Sequence, residues 1–74
     1  MATRNEEKRL ARAGYRKGHG AAGEEWEKDV EGGSQLVTEA EDGGWMIGAY
    51  ADDGSQIMVL YFDTLEKLLE SRAV

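Results

Sequence analysis

The chain has 74 residues, neither cysteine nor proline, and a formal net charge of −6 at pH 7. That length allows one domain with one core, and without cysteines neither disulfides nor thiolate metal sites can staple it, so apolar packing has to hold the fold. The opening MATRNEEKRL has no apolar signal-peptide region, and no run approaches the ~20 apolar residues of a membrane span, so the expectation is a soluble, cytoplasmic protein. Charge divides unevenly. Residues 1–22 hold six Lys/Arg against two Glu, a net of +4, whereas residues 23–74 hold three against thirteen acids, a net of −10.

Thr3 and Glu6 match the S/T-x-x-E capping box and good helix formers follow, which predicts a helix from about Arg4 to Arg16 with a thin apolar face of Leu10, Ala13 and Tyr15. Gly18 and Gly20 should end it. Ala22, Trp26 and Val30 recur at four-residue intervals and predict a second helix up to Glu31, anchored by Trp26; one bent N-terminal helix is the competing layout. After Gly32-Gly33, residues 34–40 read as a short strand containing Leu36 and Val37, and Glu41-Asp42-Gly43-Gly44 turns the chain.

The stretch from Trp45 to Leu69 holds most of the large apolar residues. Two runs of strand formers, 45–50 and 57–62, flank Asp52-Asp53-Gly54-Ser55, where the glycine suits a short hairpin loop. Both faces of both runs are apolar, which predicts a sheet covered on one side and partly on the other. Asp63 is placed as the cap of a last helix, with Glu66 three positions on, Leu65, Leu68, Leu69 and Ala73 on one face, and Arg72 near its carbonyl end. The expected fold is a single α+β domain over 1–74: helical over 1–31, a three-stranded antiparallel meander over 34–62, and a C-terminal helix over 63–74. Trp45, Ile57, Val59, Leu65, Leu68 and Leu69 are its expected core, and a monomer is the expected state.

Chemistry is sparse. The sole histidine, His19, sits in a glycine-flanked joint with no nucleophile paired to it, so no enzyme is expected. Asp52-Asp53-Gly54 lacks the alternating ligands of an EF-hand loop, Gly18, Gly20 and Gly23 follow no predicted strand, and no metal or cofactor is expected. Two charged groups remain. Arg9, Arg12, Arg16 and Lys17 with Tyr15 and His19 form a basic and aromatic segment of the kind that holds phosphate and stacks on a base. Glu24, Glu25, Glu27, Asp29 and Glu31, with the loop acids Glu39, Glu41, Asp42, Asp52 and Asp53, suit a surface that docks into a basic groove on another protein.

A small, acidic, cysteine-free chain in which GGWMIGAYADDGSQIMVLYF runs into DTLEKLLE resembles the small proteins of phages and mobile elements, among them anti-CRISPR proteins. The segment YADDGSQIMVLYFDTLEKLLE is also loosely similar to a small phage head-joining protein with a helix, hairpin, helix layout. The first resemblance implies a cytoplasmic inhibitor in a bacterial host that occludes the nucleic-acid site of a CRISPR effector. Glu24, Glu25, Glu27, Glu31, Glu39, Glu41, Asp52 and Asp53 would then stand in for phosphates. The alternative it leaves open is a structural or nucleic-acid-associated phage component that uses Arg9, Arg12, Tyr15, Arg16 and Lys17.

Overall fold

The computed structural model describes residues 3–20 and 23–72. In chain order these are helix α1 (Arg4–Arg12), strands β1 (Arg16–Gly20), β2 (Gly23–Val30), β3 (Gly33–Glu39), β4 (Trp45–Ala51) and β5 (Gln56–Phe62), and helix α2 (Leu65–Arg72). The strands form one antiparallel sheet in the order β1-β2-β3-β4-β5, a plain meander with β1 and β5 at its edges.

Successive side chains of a strand point to opposite faces, so the register sorts the residues. One row across the sheet is Lys17, Trp26, Val37, Ile47 and Leu60. Trp26, Val37 and Ile47 from this row, with Trp45, pack against Leu10 and Tyr15 from the α1 side and Leu65 and Leu68 from α2; both helices therefore lie on this face, and the core lies beneath them. Trp26 and Trp45 meet with ring centroids 5.8 Å apart at 56°, a tilted contact of the kind aromatic quadrupoles favour. The rows between, Arg16-Glu27-Leu36-Gly48-Val59 and Gly18-Glu25-Thr38-Met46-Tyr61, belong to the other face.

Helix α1 starts as its sequence dictates. The Thr3 hydroxyl accepts from the Glu6 amide at 3.1 Å, and the Glu6 carboxylate accepts from the Thr3 amide at 2.9 Å. It stops earlier than expected, at Gly14 rather than Gly18. Gly14 takes a φ of 96°, its amide donates to Ala11 O, and the Tyr15 amide donates to Leu10 O, which together close the carbonyl end in a Schellman turn. The turn throws Tyr15 inward beside Leu10, and both are buried. Lys28 from β2 then donates to Ala13 O at 2.9 Å with its ammonium 5.6 Å from the Tyr15 ring, a cation placed at the negative end of the helix.

Four expectations need correction. The N-terminal part holds one helix, and the meander has five strands where three were expected, because residues 16–20 and 23–30 form an added hairpin. A four-residue spacing fits either period: positions 26 and 30 share a helix face, but they also share a strand face, and pairing with β3 decides for the strand. Ala22 lies outside the described residues. Ile57 and Val59 are 66% and 46% exposed, because β5 is an edge strand, Val59 lies on the face opposite the helices and Ile57 is skipped by the register shift opposite Ala49 and Tyr50. Trp45, Leu65 and Leu68 are buried as expected and Leu69 partly so. The cap of α2 is Thr64, whose hydroxyl accepts from the Lys67 amide at 3.2 Å, while Asp63 instead takes the Lys67 ammonium at 3.1 Å. Ala73 lies outside the described residues.

The uncovered face of the sheet as candidate site

With both helices on one side, no described element covers the opposite face. Its two halves differ in chemistry. Along β2, Glu25, Glu27 and Asp29 form a line of carboxylates at a two-residue repeat, about 7 Å from one to the next. Beyond them, β3, β4 and β5 contribute Leu36, Met46, Tyr50, Val59 and Tyr61, an apolar and aromatic centre. Tyr50 lies flat along its own strand because Gly48, two residues before it, has no side chain: a Cβ there would stand 3.0 Å from the ring. Tyr61 is held at the far border, where its hydroxyl donates to Asp42 at 2.8 Å.

Asp42 is fixed in turn by the Gly44 amide at 3.0 Å, and the close approach of Tyr61 to Gly44 leaves no room there for a Cβ. The Gly44 amide, and after it the Tyr61 hydroxyl, hold the Asp42 carboxyl below its ordinary range; the same bond to Asp42 pushes the Tyr61 phenol up. Asp42 is thus a fixed negative charge at the edge of an aromatic surface.

The anticipated acidic residues do not form one patch. Glu24 pairs with His19 of β1, and its carboxylate stands 3.4 Å from Lys17, while Glu39 closes β3 opposite Trp45. With Glu41 and Asp42 they surround a shallow depression of about 630 Å³ at the end of the sheet where β4 begins. Glu31, Asp52 and Asp53 sit in the turns at the opposite end, and Asp53 is held below its usual range by the Ser55 hydroxyl and amide. Glu25 and Glu27 alone of the eight lie on the uncovered face. Asp29 joins them there, and its value as part of a row was hidden by the helical reading. Among the described residues, no three His, Asp or Glu converge as metal ligands would.

The basic segment is dispersed as well. Tyr15 is 4% exposed and in the core, away from any base it would stack on. Arg16 reaches Glu27 at 3.4 Å and Asp29 at 3.3 Å across the β1–β2 pair. Lys17 donates to Glu7 at 2.8 Å, which raises its pKa, and Arg9 stands 4.0 Å from Glu66. Arg12 is exposed near the end of α1. Comparison with protein-family models, with curated proteins and with solved structures finds no match.

Proposed function

We propose that this protein is a non-enzymatic binding module that docks the uncovered face of its sheet onto a basic protein, at the site where that protein would bind nucleic acid. The observation that supports this is the acid row Glu25-Glu27-Asp29 beside an uncovered apolar and aromatic centre. Aromatic and aliphatic groups supply desolvation at the centre of an interface, while carboxylates at its margin steer arginine and lysine. Exposed ion pairs such as Arg16 with Glu27 and Asp29 contribute only ~0–1 kcal/mol, so a partner's arginine can displace Arg16 at small cost. Occupying a groove in this way inhibits without turnover, and a CRISPR effector in a bacterial host is the partner class the resemblance suggests. Use of the basic segment to bind nucleic acid directly has less support, since Arg9, Arg16 and Lys17 already face acids and Tyr15 is internal.

Reversing Glu25 and Glu27 to lysine tests the reading without touching the core. The expected result is loss of protection in plasmid-interference assays with active CRISPR systems, together with weaker, salt-altered binding to the effector and an unchanged fold by circular dichroism. Equal protection by wild type and double variant would reject the acid row as the contact, and protection by neither across system types would reject the partner class.

A further inference from the structure

The two edges of the sheet differ. β1 is five residues, RKGHG, with two cations and two glycines, the kind of short charged edge that resists pairing. β5 is seven, QIMVLYF, with no charge and no proline. Ile57, Met58, Val59, Leu60 and Tyr61 are 66%, 51%, 46%, 43% and 53% exposed, so side chains on both faces of the strand remain accessible although α2 touches it and Phe62 packs on the core.

On its outer side its backbone has no partner strand among the described residues. The bond from the Ala40 amide to Gly44 O at 2.7 Å closes the β3–β4 turn and sets the alternation: Met46 and Gly48 bond to β3, while Trp45, Ile47 and Ala49 bond to β5. On β5, Met58, Leu60 and Phe62 are therefore committed to β4, and Val59 and Tyr61 present their N–H and C=O groups at the free edge.

We propose that β5 is a homodimerisation strand, two copies pairing their β5 edges antiparallel about a twofold axis at Leu60, to give one continuous sheet. In that register Val59 of each copy exchanges backbone hydrogen bonds with Tyr61 of the other, and Leu60 meets Leu60. A twofold pairing brings like against like, so it suits a strand with no charge to repeat across the axis. In a chain of net charge −6, residues 54–62 are an uncharged stretch between Asp53 and Asp63, and there two copies approach with least repulsion. The register shift opposite Ala49 and Tyr50 leaves Ile57 as a bulge, so regular pairing runs only from Met58 to Phe62. An edge strand of this size buries less than the ~1,200 Å² at which stable specific interfaces begin, so the dimer should be a weak one that forms as concentration rises. The partner-binding reading shares the Val59 and Tyr61 side chains on the uncovered face, but it rests on the acid row, whereas this inference rests on the backbone edge of β5.

Sedimentation velocity across a concentration series, with residue-resolved hydrogen exchange, tests it. Dimers should form as concentration rises, and the Val59 and Tyr61 amides should gain protection while those of Met58 and Leu60 are protected throughout. Added salt should tighten the dimer by screening acid against acid, the reverse of its effect on an acid-to-basic complex. Val59→Lys should weaken self-association at least about tenfold, while Gly18→Lys on the other edge, where a Cβ meets nothing within 4 Å, should leave it intact. Glu25→Lys with Glu27→Lys should leave the dimer formed, which separates its failure from that of the partner reading. A monomer at every concentration, protection gained at β1 instead of β5, or dissociation by salt would each overturn the proposal.

Discussion

At the residue scale, single contacts decide positions that composition leaves open. Gly33 opens β3 where the Tyr50 carbonyl of β4 closes on it, and an added Cβ would collide with that carbonyl. The obstacle is backbone and cannot swing aside, so Gly33→Ala should cost at least ~1–3 kcal/mol, measured as a lowered denaturation midpoint. Gly18→Ala, in open space, is the control. The Asp42–Tyr61 bond makes a prediction about pH. Because the folded Tyr61 phenol is raised, its share of stability is complete below the ordinary tyrosine pKa of about 10 and is lost as pH rises through the folded value. Asp42 is lowered, so its share is present above the ordinary carboxylate range and is lost as pH falls through the depressed value. Asp42→Asn should bring the Tyr61 titration back toward its ordinary position, as followed by its ring resonances in NMR. These bonds were not legible in the sequence: Asp42 reads there as a turn former and a loop acid, and its partner lies 19 residues away.

At the scale of elements, legibility followed how much of the determining interaction was local. The Thr3–Glu6 box, the β4–β5 hairpin with Gly54 at a φ of 87°, and the leucine face of α2 are short-range arrangements and could be read directly. β1 could not, because RKGHG has little strand propensity and is extended through its pairing with β2. β2 was misread since carboxylates alternating with Trp26 and Lys28 look amphipathic in either period. β5 shows another limit: a strand apolar on both faces looks like a central strand, yet it can equally be an edge awaiting cover. The candidate site inherited the same errors, since Asp29 joins Glu25 and Glu27 in one row only if their segment is extended. Leu68 and Val59 separate the two environments. Leu68→Ala should destabilise by ~2–4 kcal/mol because Leu68 is fully buried between α2 and the sheet. Val59→Ala, at 46% exposure, should cost well under half of that in dilute solution, by urea denaturation.

At the scale of the whole molecule, the helices on one side and the bare sheet on the other divide stability from recognition. The core is assembled entirely on the helix side, so the opposite face is released from packing and can carry acids, aromatics and an unsatisfied edge together. The meander also bears on how the chain reaches this state. Each strand bonds only to its neighbours in sequence, so every pairing closes a short loop and none waits for a distant segment. A single hairpin is marginal in water, so a third strand or a covering helix is needed before any one pairing persists. The two terminal helices then close over Trp26 and Trp45 from opposite ends of the chain. Until they do, the tryptophans stand exposed, so burial of indole should trail strand formation in time, and the chain should pass from extended sheet to covered core as its last folding event.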